Sequence, residues 1–193
     1  MIGVVLCGGQ SLRMGSDKGL LKNEEGVFWS ALAYQKLAIL VSPIVVSVNQ
    51  RQGNYKSLFS NNQLIIDNAS LGINGPLLGL ISVHFQFPDE DLMILACDMI
   101  DMKTEVLSFL HGQYKIKGCE AMVFSNHDLL EPLCGIYSSL GLKKIYSLFQ
   151  NKGLTKHSMQ FVLKELSTIQ LKLPNHWENC FHNYNYSAKI EMH

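Results

Sequence analysis

Three glycines and two cations crowd into one stretch near the amino end, Cys7-Gly8-Gly9-Gln10-Ser11-Leu12-Arg13-Met14-Gly15-Ser16-Asp17-Lys18, directly after the apolar run Ile2-Gly3-Val4-Val5-Leu6. Glycine has no Cβ, so its backbone N–H can turn inward and come close to phosphate oxygens. Arg13 and Lys18 supply positive charge for the same oxygens. The loop suits a polyphosphate. It departs from the Walker A pattern, because Lys18 is followed by Gly19 in place of Ser or Thr and stands three residues past Gly15. It also lacks the GxGxxG spacing of dinucleotide folds. A P-loop kinase and a nicotinamide oxidoreductase are therefore disfavoured. Out of context, the same residues describe an ordinary glycine turn with two solvated cations.

Asp98 follows the apolar run Leu92-Met93-Ile94-Leu95-Ala96-Cys97 and is expected at the same sheet edge as the loop. One carboxylate with phosphate oxygens and water suits Mg²⁺, which keeps waters and seldom sits in an all-protein cage. Alone, a strand-end Asp more often caps a following helix; the glycine loop turns the reading toward a metal. Asp67, after Leu64-Ile65-Ile66, offers two acceptor oxygens to a base edge or to ribose hydroxyls. Its alternative is an Asx turn with Asn68 and Ser70. Asn49 is a further candidate for base or ribose, with Ser47 competing for that place. Asn183 and Asn185 alternate with Tyr184 and Tyr186, so an extended backbone puts both amides on one face. That face meets a metal and phosphate, or is simply a polar strand face.

Gly72, Gly75 and Gly79 surround an expected helix start, where they present backbone N–H groups or permit close packing, packing being preferred for Gly79. The seven histidines show neither HxxxH nor HExxH spacing, which argues against zinc catalysis. Cys97 reads as a buried small hydrophobe, with no nearby histidine to activate it. His127 and Asp128 read as solvated loop.

From Leu6 through Lys18 to Gly19-Leu20-Leu21, the sequence resembles the N-terminal signature of molybdenum cofactor guanylyltransferases and their wider nucleotidyltransferase family. Cys7 stands where such loops usually carry alanine. Ile66-Asp67 with Gly75-Pro76-Leu77-Leu78-Gly79-Leu80, Leu95-Ala96-Cys97-Asp98, Glu131-Pro132-Leu133-Cys134-Gly135-Ile136-Tyr137 and Asn183-Tyr184-Asn185 resemble four later segments of that family, in the same order. The resemblance implies a Mg²⁺-dependent enzyme that moves GMP from GTP to the terminal phosphate of molybdopterin carrying molybdenum, releasing pyrophosphate.

By the same resemblance, Leu6, Cys7, Gly8, Gly9, Lys18, Asn49, Asp67 and Asp98 bind the nucleotide. Arg13, Lys18 and Asp98 serve the chemistry, Asp98 holds the metal, and Asn183 and Asn185 contact metal or acceptor. Room is left for transient contacts with other molybdenum cofactor proteins. A CTP-dependent sister, a sugar-phosphate nucleotidyltransferase and a GTP-binding relative without turnover share these features. Two departures stand out: Tyr186-Ser187 follows Asn185 where the family usually continues Thr-Pro, and Met99-Ile100 follows Asp98 where a proline is frequent. Molybdenum and the choice of guanine enter through the resemblance alone.

These side chains can meet only if several strands end at one edge. Short β-branched runs at 2–6, 44–48, 64–66, 92–96, 121–124, 133–137 and 169–171 alternate with helical periodicity at 29–40, 76–85, 104–114, 140–150 and 157–166. The pattern predicts an α/β fold, a mostly parallel central sheet with helices on both faces, Rossmann-like and formed as one domain over residues 1–193. With 47% hydrophobic residues the chain can fill a sizeable core,. Sixteen basic and sixteen acidic residues cancel, so no broad positive field marks a nucleic-acid or membrane binder. Five scattered cysteines without a CxxC pair point to a reducing compartment. The first residues carry no basic leader or cleavage pattern and the apolar stretch 37–48 is broken by Ser42 and Pro43. The expectation is a cytoplasmic protein without a membrane span.

Overall fold

Successive strand side chains point to opposite faces of a sheet, and here both faces are apolar. A computed structural model describes residues 1–8, 17–50, 53–127 and 129–182. Its strands are β1 (Ile2–Leu6), β2 (Ile44–Val48), β3 (Leu64–Ile66), β4 (Leu92–Ala96), β5 (Ala121–Asn126), β6 (Leu129–Tyr137) and β7 (Thr168–Lys172). Its helices are α1 (Trp29–Ala38), α2 (Pro76–Gln86), α3 (Thr104–Lys117), α4 (Ser139–Gln150) and α5 (Met159–Glu165). Val5, Met93, Leu95, Met122 and Phe124 pack on one side with Ala33 and Leu37 of α1 and Val106, Leu107 and Leu110 of α3. Val4, Leu6, Leu92, Ile94 and Val123 pack on the other with α2, α4 and α5. Strands apolar on both faces require this double cover.

The seven strands form one sheet in the order β3-β2-β1-β4-β6-β5-β7. All run parallel except β6, which is antiparallel to both β4 and β5. β6 is also longer than the expected 133–137, and β5 extends past Phe124. A hairpin is the physical reason: the two strands turn back on each other near His127, which adopts φ 45°. Pro132 has no N–H for a ladder, and it sits where the β5–β6 register shifts between Val123 and Phe124, a position that tolerates proline.

Helix starts follow local chemistry. Pro76 occupies the first turn of α2 behind Gly75 at φ 70°, the place where a fixed proline φ costs nothing. The Ser138 side chain accepts from the Gly141 N–H at the head of α4, and Ser158 caps α5 in the same way,. Among the described residues, no helix is long and apolar enough to cross a membrane.

Candidate functional site

Chain order reverses at β1: β2 pairs on one side of it and β4 on the other. In an open parallel sheet such a reversal leaves a crevice beyond the carboxyl ends of the strands. Backbone hydrogen bonds carry the pairing past the strands into that crevice. Cys97 N–H donates to Leu6 C=O at 3.1 Å, Cys7 N–H to Ser47 C=O at 3.0 Å, and Asp67 N–H to Val48 C=O at 2.8 Å. Gly8, Asn49, Asp67 and Asp98 therefore leave the sheet from one edge.

Lys18 and Asp98 meet there. The Lys18 Nζ donates to Asp98 Oδ2 at 2.8 Å, across 80 residues of chain, and each side chain keeps about a fifth of its surface in solvent, 19% and 18%. Asp17 prepares this approach. Its Oδ1 accepts from Gly19 N–H at 3.1 Å and caps a 3₁₀ turn at Lys18–Leu20, while Ser30 Oγ donates to Gly19 C=O at 2.7 Å. On the other side, the turn after Asp98 lacks a proline but is fastened by apolar anchors. Met99 and Met102 are buried, and Lys36 Nζ donates to Ile100 C=O at 2.5 Å.

Asp67 is almost sealed, with 4% of its surface exposed. Its Oδ1 accepts from Ser47 Oγ at 2.7 Å. Burial pushes the carboxyl up to about 6, with the Ser47 hydrogen bond pulling the other way. Two glycines make room for it: a Cβ at Gly8 would overlap Asp67 Oδ2, and one at Gly79 would overlap Ser47 Oγ and lie 3.5 Å from Asp67 Oδ1. Gly79 is thus a packing glycine of α2. The Asx turn exists, but Asn68 makes it, its side chain accepting from Ser70 N–H at 3.2 Å. Ser47 is fully buried and serves Asp67, whereas Asn49 is half-buried with its backbone nitrogen beside Gly8.

Leu6, Cys7, Gly8, Lys18, Asn49, Asp67 and Asp98 are thereby gathered at one edge. Gly9, Arg13, Asn183 and Asn185 lie outside the described residues, as does Asp128. His127 is exposed and pairs with Glu178 at 3.3 Å, away from this cluster. Among the described residues no group of three or more His, Cys, Asp or Glu side chains could hold a metal ion. Asp98 stands as a single carboxylate beside one ammonium, a donor set that fits Mg²⁺ completed by phosphate and water and does not fit zinc. Sequence reasoning passed over Tyr55, whose hydroxyl donates to Asp17 Oδ1 at 2.7 Å, and Lys36. Neither sits in a motif, and both act through partners far along the chain.

Known proteins resemble this chain over most of its length. Residues 3–169 match the family model described as MobA-like NTP transferase domain. A probable molybdenum cofactor guanylyltransferase of Geobacillus sp. is 27% identical over 187 residues, spanning 96% of this chain and 93% of the relative. A molybdenum cofactor guanylyltransferase of Campylobacter jejuni subsp. doylei is 28% identical over 194 residues, 97% and 92% of the two chains. In three dimensions, the crystal structure of molybdopterin-guanine dinucleotide biosynthesis protein A from Archaeoglobus fulgidus superposes with a TM-score of 0.77 at 21% identity, covering 96% of this chain and 92% of that one. The structural likeness speaks to fold.

Proposed function

The chain belongs to the MobA-like NTP transferase family, and from that membership we propose that it transfers GMP from GTP to the terminal phosphate of the molybdopterin-bound molybdenum cofactor. The carrying observation is the Lys18–Asp98 contact at 2.8 Å, which joins the glycine loop to the end of β4. Guanine as the base and molybdopterin as the acceptor are supported by the names of relatives that match over nearly their whole length.

The reaction is an in-line displacement. An acceptor phosphate oxygen forms a bond to the α-phosphorus, the bond from that phosphorus to the bridging oxygen breaks, and pyrophosphate leaves with the electron pair. A phosphate monoester is already anionic near neutral pH, so no protein nucleophile is needed. The protein's task is to align two polyanions and balance charge. The ammonium of Lys18, set at the loop's exit, faces the triphosphate and balances the leaving pyrophosphate, with Arg13 as its partner in the same loop. Gly8 and Gly9 offer backbone N–H groups to phosphate oxygens. Asn49 and Asp67 orient base and ribose, and Asn183 and Asn185 are assigned contacts with metal or acceptor.

Asp98 is the residue that would hold Mg²⁺, which when bound supplies Lewis-acid polarisation and neutralises phosphate charge. Free thiols at all five cysteines support a reducing, cytoplasmic setting. The test is pyrophosphate release with Mg²⁺ and each of the four nucleoside triphosphates, with and without molybdenum cofactor. Acceptor-dependent release from GTP is expected. Release from CTP instead would move the chain to a sister activity, and GTP binding with no release under any condition would leave a nucleotide-binding relative.

A further inference from the structure

Both described ends of the glycine loop converge on one phenol. Cys7 enters the loop from β1, and its Sγ borders the same spot beside Gly19 as the Tyr55 hydroxyl. Asp17 leaves the loop, and its Oδ1 accepts from the Tyr55 hydroxyl at 2.7 Å. Gly19, next after Lys18, has its Cα so near that hydroxyl that a Cβ would overlap it and would lie 3.1 Å from Cys7 Sγ. Tyr55 itself is rigidly held. It is fully buried in a 3₁₀ turn at Gly53–Ser57, with its ring stacked on Phe59 at 6.4 Å between centroids, and Phe59 in turn meets Tyr34 of α1 at 5.6 Å.

The hydroxyl is the polar tip of an apolar strut. Burial holds the phenol well above its ordinary range, so it remains a proton donor to Asp17. Asp17 spends the same oxygen on the Gly19 N–H at 3.1 Å, and this bond sets the turn from which Lys18 reaches Asp98. A charge-assisted hydrogen bond of this kind is among the stronger ones. Its removal leaves the Gly19 N–H bond to hold Asp17 without the buried phenol and loosens the loop's exit.

We propose that Tyr55 is a positioning residue of the nucleotide site, whose hydroxyl ties the two ends of the triphosphate loop together and, through Asp17, aims Lys18 at the phosphates. Lys18 is the group that touches ligand; Tyr55 acts through it. The inference rests on the nucleotide reading above, and its test separates the two. Tyr55→Phe removes one oxygen and keeps the buried ring. Amide exchange at Gly19, measured on the protein alone, is expected to rise about tenfold, the loss of a hydrogen bond to a charged group. GTP affinity by calorimetry with Mg²⁺ is expected to fall about tenfold.

In a Lys18→Ala background the same Tyr55→Phe change should alter GTP affinity by less than about twofold, because residues acting as a unit are not additive. Asp17→Ala approaches the contact from its solvent-facing side and should reproduce both effects should Tyr55→Phe fold poorly. Equal affinity losses with and without Lys18 would overturn the positioning role, as would unchanged Gly19 exchange in both variants. Should Gly19 exchange respond while the unaltered protein binds no triphosphate, the tie is upheld and the nucleotide reading fails.

Discussion

Asp98 sits two residues past the end of β4, held from the amino side by Cys97 bonding to Leu6 and from the carboxyl side by buried Met99. Asp98→Asn keeps the shape of the side chain and removes its charge. Turnover should fall about 100- to 1,000-fold, with a melting temperature close to that of the unaltered protein, since Lys18 retains enough exposure to be solvated alone. Pyrophosphate release from GTP with Mg²⁺ measures it, and undiminished release removes Asp98 from the centre. Asp67 behaves differently because it is buried. Its carboxyl is raised to about 6, so at pH values above 6 the folded state bears an ionised group it would rather protonate. Asp67→Asn should stabilise the protein by about 1–3 kcal/mol near pH 8 while weakening GTP binding, a stability gain at the cost of function. Urea unfolding and calorimetry read the two halves; a destabilised variant would show that Asp67 is held for packing alone. Both aspartates were visible in the sequence because each ends an apolar run. Tyr55 was not, because its meaning lies in a contact 38 residues away and a lone tyrosine in a polar turn carries no pattern.

At the scale of elements, short unbroken β-branched runs made the strands easy to find: Val4 and Val5 belong to opposite cores, and the expected run 2–6 coincides with β1. Strand direction was harder. The reversal of β6 depends on His127 taking a left-handed φ of 45°, which histidine adopts only where a turn demands it, so composition did not announce it. The sequence pattern placed α2 well, behind Pro76, but could not show how close it comes to the sheet. That closeness is testable at Gly79. In an ordinary helix interior Gly→Ala stabilises by about 1 kcal/mol. Here the new methyl would overlap Ser47 Oγ and press on Leu6 at 3.3 Å, and overpacking costs about 1–3 kcal/mol. Gly79→Ala should therefore destabilise, and it should disturb the Ser47–Asp67 bond that orients the carboxylate. Chemical denaturation decides the sign; a more stable Gly79→Ala variant would mean that α2 can retreat from β2 without cost.

Across the whole molecule, two buried titrations at opposite ends of the 67–84 segment pull stability in opposite directions. His84, near the end of α2, is 4% exposed, and its Nδ1 has no hydrogen-bond partner. Burial first, and then Lys143, lowers its pKa below 6.5, with Asp89 opposing. A histidine kept neutral in the folded state contributes stability that is present above its unfolded pKa and is lost as pH falls below about 6.5, where the unfolded chain takes up the proton more readily. Asp67 has the other sign. Its folded pKa of about 6 lies above its unfolded value of 3.8, so its contribution is lost as pH rises through 6 and recovered as pH falls toward 3.8. The windows overlap, and the two contributions partly cancel in the unaltered chain. Variants expose each one separately: the stability advantage of Asp67→Asn should shrink steadily from about pH 7 to about pH 4. His84→Gln should gain on the parent as pH falls below about 6.5, where the parent's unfolded chain takes up a proton that folded His84 resists,. Urea midpoints at several pH values give both curves. If either variant tracks the parent in parallel, the corresponding group does not change protonation between folded and unfolded chains, and the burial assigned to it is not what controls its charge.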